Sequence, residues 1–236
     1  MDNTCHHHHN HECSTSGSHK TCVLLVPIFN HLEVDQMEEI MATVQSVPFK
    51  KGELIYHAGD RSDSLYIVHK GKVKIYRLSE TGKEQLVRIL NPGDFTGELA
   101  LFRNDLHESF AEAMTNTMVC TIHQADLQDL LVKYPSISLK ILAEFSKRLD
   151  QSEKQTTRFA TEKVETRIAL FLVECLKDSQ TKEFILPMSK KNLASFLGTT
   201  PETISRKLAE FENQGLIKQK PHKRIEIVNQ DELLLI

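Results

Sequence analysis

The sequence predicts an α+β chain: a small antiparallel sandwich or barrel, then a long helix, then a C-terminal helix-turn-helix carrying a hairpin wing. Three observations predict it. Gly52, Gly59, Gly71, Gly82 and Gly93 punctuate short β-rich runs at intervals of roughly ten residues, as turns between antiparallel strands do. From Ala125 to about Lys177 the apolar period becomes helical, with one interruption near Tyr134-Pro135. The stretch MSKKNLASFLGTTPETISRKLAEFENQGLI then combines a helix cap, a glycine turn, a second cap and a second amphipathic helix.

Residues 1–20 are poor in apolar side chains and are expected to form a flexible Cys/His-rich arm. A short helix should follow, since Met37, Ile40, Met41 and Val44 recur at helical spacing. From Phe49 to about His123 the β-rich runs are LIYH, SLYIVHK, KVKIYRL, QLVRIL and MVCTIH. SETGKEQ and NPGD between them read as tight turns, where Gly supplies a positive φ and Pro pre-sets its own. A long helix begins near Pro135. Along it Leu142, Phe145, Leu149, Ser152, Thr156 and Phe159 alternate spacings of three and four, the seam of a two-stranded coiled coil with a polar middle. The expected last region, 164–236, is three helices followed by a hairpin in which LIKQK and RIEIV flank Pro221-His222-Lys223. The expected domains are thus the arm at 1–20, a sensor domain at 21–133, a dimerisation helix at 134–163 and a DNA-binding domain at 164–236.

With 236 residues the chain can bury a sizeable core. Its apolar runs fall short of a membrane span, and its start lacks a secretory signal, so a cytoplasmic protein with no membrane partner is expected. Five cysteines in that compartment point to metal, cluster or redox roles before structural disulfides. The net charge of −3 is unevenly spread. From Val164 onward eleven Lys+Arg face ten Asp+Glu, whereas the rest has eighteen against twenty-two. The C-terminal cations are clustered at Lys190, Lys191, Arg206, Lys207, Lys218, Lys220, Lys223 and Arg224. No Ser/His/Asp set, phosphate-binding glycine loop or paired-carboxylate context suggests an enzyme.

The helix-turn-helix carries the chemistry. Ser189 caps a first helix bearing Leu193, Ala194, Phe196 and Leu197, and Gly198 ends it. Thr200 caps the second, with Pro201 at its first position, where a missing N–H costs nothing. Ile204, Leu208 and Phe211 share one face; Glu202, Ser205 and Arg206 share the other. Arg206 suits the two acceptors of guanine, Glu202 the amine of cytosine, and Ser205 either. Ser189, Lys190, Lys191, Thr200, Thr203, Lys207, Lys220, Lys223 and Arg224 are the expected phosphate and positioning contacts.

From about Cys22 the chain resembles the CRP/FNR superfamily of bacterial transcription regulators. GDFTGELALF is similar to that family's β-roll signature, and ETISR (Glu202–Arg206) to the recognition helix of its FNR branch. The resemblance implies a β-roll (jelly-roll-like) sensor domain, a homodimer, and a palindromic FNR-like site on double-stranded DNA. RNA polymerase becomes a partner if the chain activates.

Four inputs to the sensor domain are open to the sequence. Cyclic nucleotide is disfavoured: the family pairs the glutamate of GEL, here Glu98, with a later Arg-Ser, and that position reads Glu108-Ser109. The adenine-contacting Thr-Ser of cyclic-AMP members falls near Ser152-Glu153. A [4Fe-4S] cluster, which the FNR resemblance implies, has Cys5, Cys13, Cys22 and Cys120 as candidate ligands, at wider N-terminal spacing than that branch expects. A thiol switch needs only Cys120 and one N-terminal cysteine, with no cofactor. Zinc is the alternative, on Cys5 and Cys13 with some of His6, His7, His8, His9, His11 and His19. Cys175, His57, His69 and His123 read as ordinary packing or strand residues.

Overall fold

The computed structural model describes Val23 and residues 25–98, 106–177 and 181–236. Cys5, Cys13, Cys22, His6, His7, His8, His9, His11 and His19 lie outside the described residues. After α1 (Val34–Thr43) come β1 (Gln45–Phe49), β2 (Leu54–Tyr56), β3 (Ser64–Lys70) and β4 (Val73–Leu78). Then follow β5 (Glu84–Leu90), β6 (Phe95–Thr96), β7 (Phe110–Ala113) and β8 (Thr117–His123). They form two four-stranded antiparallel sheets, ordered β1-β8-β3-β6 and β2-β7-β4-β5. All five predicted strand runs are present, and the turns are as expected: Gly82 N donates to Ser79 O at 2.8 Å and Asp94 N to Asn91 O at 2.9 Å. At Gly71 (φ +92°) a side chain is excluded twice over, because a Cβ would lie 2.5 Å from Thr117 Oγ1.

Strands β1, β6 and β7 were not predicted. QSVPF contains Pro48 and does not alternate in burial; the strand exists because it lies at a sheet edge, where a missing N–H is tolerated. Strand β6 is two residues long, too short for any period to register.

The helical stretch is broken twice, which corrects the expected single interruption. Helices α2 (Gln124–Lys133) and α3 (Pro135–Thr161) part at Tyr134, and α3 and α4 (Val164–Lys177) part at Glu162, whose ψ of 142° is extended. Helix α3 has Pro at its first position and spans about 40 Å at 1.5 Å per residue. Only its start is buried in its own chain: Ile137 and Ile141 enter the core that also holds Val23, Phe29, Leu65, Cys120 and Ile122. Burying each such side chain contributes about 1.5–3 kcal/mol, so the first turns of α3 are fixed to the β-roll.

The C-terminal region is richer than three helices and a hairpin. It comprises α4, β9 (Glu183–Ile185), α5 (Lys190–Phe196), α6 (Pro201–Asn213), β10 (Ile217–Lys220), β11 (Arg224–Ile227) and α7 (Gln230–Leu233). The wing is therefore a three-stranded sheet, β10-β11-β9, which corrects the two-stranded expectation. Strand β9 escaped notice because EFI is short and sits between polar residues. His222 and Lys223 carry the wing turn at φ +59° and +61°.

The two halves touch at one place. Ser195 on α5 receives a hydrogen bond from Leu86 N at 2.7 Å and donates one to Glu84 O at 2.8 Å, lying along the open side of β5. Leu86, only 1% exposed, belongs to the core of the C-terminal domain.

Candidate nucleic-acid interface and ligand cavity

Both helix caps of the helix-turn-helix are made as predicted. Asn192 N donates to Ser189 Oγ at 3.2 Å, and Thr203 N to Thr200 Oγ1 at 3.3 Å. Gly198 turns between the helices at φ +67°, and a Cβ there would meet the Phe159 ring at 3.2 Å. Ile204, Leu208 and Phe211 are buried, which orients α6 and leaves Glu202, Ser205 and Arg206 exposed together near its start. A bond from its own backbone N–H and one from Thr200 hold the Glu202 carboxyl below the usual carboxylate range. At neutral pH it is thus an acceptor only. Arg206 Nη1 meets Glu210 Oε1 at 2.9 Å in an exposed i,i+4 pair. Such a pair contributes only about 0.3–0.5 kcal/mol, less than the roughly 1–3 kcal/mol of a bidentate guanine contact, so a base displaces Glu210 readily.

The expected phosphate contacts divide. Lys191, Lys218 and Lys223 are exposed, and no hydrogen bond or ion pair to their side chains is present among the described residues. Lys190 touches only Gln219, at 3.5 Å. Lys207 is different. Its side chain is only 18% exposed and bridges Glu165 Oε2 at 2.6 Å and Glu210 Oε2 at 2.7 Å, tying α4 to α6. Three residues beyond Ile204, it flanks the buried stripe and turns inward. Lys220 meets Glu183 (2.7 Å) and Glu226 (2.8 Å), and Arg224 meets Glu183 at 3.4 Å. The unpredicted β9 thus brings a carboxylate against two expected wing cations.

Along α3, Leu142 and Leu149 are 58% and 60% exposed, and Ser152 and Thr156 are exposed too. The ends of the seam have neighbours in their own chain: Phe145 packs on the β-roll core and Phe159 on Gly198 and the Arg167 guanidinium.

Inside the β-roll, Cys120 is fully buried on β8, between Ser46 of β1 and Ile67 of β3, with Sγ 3.4 Å from Ser46 Oγ. Among the described residues no group of three or more His, Cys, Asp or Glu could hold a metal ion. A cavity of about 360 Å³ opens between the sheets and Ser152 of α3. Glu98 lies at its base, where Arg88 Nη2 (3.0 Å) and Arg148 Nη1 (2.7 Å) both reach Oε1. Burial alone would raise this carboxyl's pKa; the two guanidiniums more than offset it and hold the pKa below its ordinary value. His107 stacks on Tyr56 with centroids 3.8 Å apart, and burial lowers its pKa. At the rim, Arg77 Nη2 meets Glu108 Oε2 at 2.5 Å. Of these, sequence reasoning singled out Glu98, Glu108 and Ser152; it missed Ser62, Tyr56, Arg88, His107 and Arg148, which come together only through strand pairing.

Residues 46–134 match the family model described as a cyclic nucleotide-binding domain, and residues 166–236 the Crp-like helix-turn-helix domain. The chain is 32% identical over 232 residues to the fumarate and nitrate reduction regulatory protein of Vibrio cholerae, covering 96% of this chain and 89% of that one. This chain belongs to the CRP/FNR superfamily of transcription regulators. Electron transport regulator A of Shewanella oneidensis is a further CRP/FNR relative, 32% identical over 97% of this chain and 90% of its own. Among solved CRP/FNR structures, FixK2 from Bradyrhizobium japonicum aligns with a TM-score of 0.70 at 26% identity, over 80% of this chain and 95% of that one. The c-di-GMP-responsive global regulator CLP of Xanthomonas campestris shares the fold, with a TM-score of 0.71 at 24% identity over 83% and 99%. As a CRP/FNR-type, DNA-binding transcription regulator, the chain is not an enzyme. No helix among the described residues is long and apolar enough to cross a membrane.

Proposed function

We propose that this regulator binds a palindromic FNR-like site as a homodimer, reading bases with Glu202, Ser205 and Arg206, and that oxygen or thiol redox state controls it through Cys120 and the N-terminal cysteines. One observation carries the DNA half: α6 exposes those three polar side chains together above a fully buried apolar underside. Lys190, Lys191 and Lys223 supply phosphate contacts, with Lys218 beside them. Leu142 and Leu149, exposed on a helix anchored at its start, form the dimer seam with Ser152 and Thr156. The domains are the arm at 1–20, the sensor at 21–133, the dimerisation helix at 134–163 and the DNA-binding domain at 164–236. RNA polymerase is the partner where the regulator activates.

The redox half is supported by packing. Val23, which follows Cys22 directly, is fully buried in the same core as Cys120, and so are Ile137 and Ile141 of α3. Oxidation or ligation at Cys120 would disturb the core that anchors the dimer helix. Anaerobic purification followed by iron, sulfide and zinc analysis separates a cluster, a thiol switch and zinc on the Cys/His arm. Gel-shift binding to an FNR-type palindrome, before and after thiol oxidation, tests the whole. Equal affinity for a scrambled site sinks the sequence-specific reading, and oxidation-insensitive binding by metal-free protein sinks the redox one.

A further inference from the structure

The β-roll cavity lacks the charge that a cyclic nucleotide requires. Three guanidiniums surround it and each already faces a carboxylate: Arg77 with Glu108, Arg88 with Glu98, and Arg148 with both Glu98 and Glu144. No uncommitted cation remains among the described residues lining it. An anionic phosphate entering there would lose its water and meet Glu108 instead of a counter-charge.

The cavity is nevertheless built to hold something. Four buried polar atoms on its lining have no hydrogen-bond partner among the described residues: Ser62 Oγ, Arg88 Nε, Glu98 Oε2 and His107 Nε2. Ser62 and His107 are only 3% and 8% exposed. Buried polar atoms are satisfied in folded proteins with few exceptions, so four orphans facing one space mark a missing partner. Their chemistry is specific. The carboxylate oxygen only accepts, the guanidinium N–H only donates, and the Ser hydroxyl and imidazole nitrogen can do either. A hydroxyl group answers all four, being donor and acceptor at once, and it carries no charge. Beside these groups Ile75, Val87 and Leu106 offer apolar surface for a flat ring.

We propose that this cavity binds a neutral ribonucleoside, its ribose hydroxyls on Glu98 and Arg88 and the base against the apolar wall. Glu108, which repels a phosphate, accepts a proton from a free ribose hydroxyl instead. The size fits the class, since 360 Å³ is at the small end of ligand pockets. Occupancy is legible elsewhere in the molecule, because Ser152 of α3 and Val87 of β5 line the same cavity. Val87 is the extra residue at a bulge in β5, where Ile75 faces Arg88 and Tyr76 faces Leu86.

The test is calorimetric titration of the full chain with adenosine, guanosine, cytidine and uridine, with the matching 2′-deoxynucleosides and with 3′,5′-cyclic AMP. Saturable binding of at least one ribonucleoside is expected, weakened about tenfold or more in its deoxy form by the unpaired Glu98 and Arg88 atoms. Cyclic AMP is expected not to bind. Glu108→Arg, at an exposed rim position that tolerates the change, is expected to lose the ribonucleoside and gain cyclic AMP. Failure of all four ribonucleosides, as when the cavity holds only water, overturns the proposal. So does cyclic AMP binding to the unaltered chain as tightly as the ribonucleoside, or a deoxynucleoside binding equally well.

Discussion

The helix-turn-helix and the β-roll cavity place polar side chains in opposite ways. On α6 the reading residues point to solvent and the apolar stripe beneath them holds the helix still. In the cavity the polar residues point inward, their charges cancel in pairs, and some of their atoms lack partners. The first arrangement is complete before its ligand arrives, and its function is to displace water and surface ion pairs. The second is left unsatisfied until something enters. A reading face and a sensing site therefore fail differently, and that difference can be measured.

The largest effects should come from unfolding either half separately. Leu208→Ala removes a fully buried side chain under α6 and is expected to cost the C-terminal domain about 2–5 kcal/mol. Gly97→Ala should act on the β-roll, by about 1–3 kcal/mol, since its Cβ would lie 2.3 Å from Ser64 O at a φ of +82°. All four tyrosines (Tyr56, Tyr66, Tyr76 and Tyr134) precede α3 and there is no tryptophan, so tyrosine fluorescence follows the β-roll alone. Denaturation by fluorescence should shift for Gly97→Ala but not for Leu208→Ala. A matching shift in both would show that the halves unfold as one.

Next in size is base reading. Arg206→Ala should cost about 1–3 kcal/mol at one base pair and leave scrambled DNA unaffected. Lys191→Ala should weaken all sequences alike and reduce the salt slope by about one. Identical profiles for the two variants in salt-titrated gel shifts would contradict the division between reading and positioning.

The smallest effect concerns pH. Burial lowers the pKa of His107 below its ordinary 6.5, so below pH 6.5 the unfolded chain binds more protons than the folded one. Its contribution to β-roll stability is complete above 6.5 and is lost as pH falls through the folded value. Stability followed by tyrosine fluorescence should decline over that window, and His107→Gln should flatten the decline. An unchanged slope in the variant would place the titrating group elsewhere.

What was legible in the sequence follows from the same contrast. Helix α6 could be read from a single run, because its caps, period and exposed triad are all local. The β-roll turns could be read from their glycines. The cavity could not. Ser62, Arg88, His107 and Arg148 belong to four separate segments, and only the pairing of β3 with β6 and β8, with α3 laid alongside, brings them to Glu98. Strand β9 was missed for a related reason: three residues carry no period, and Glu183 matters only through the register that sets it beside Lys220 and Arg224.

The contact of Ser195 with β5 has a further consequence. Strand β5 ends its sheet, and Ser195 takes up the Leu86 N–H and the Glu84 carbonyl that would otherwise face outward. An uncovered strand edge invites pairing with another chain. Any rearrangement that lifts the DNA-binding domain off the β-roll would therefore expose a self-association site in the act of switching. Solubility, as much as affinity, thus limits how far and for how long the two halves of this regulator can separate.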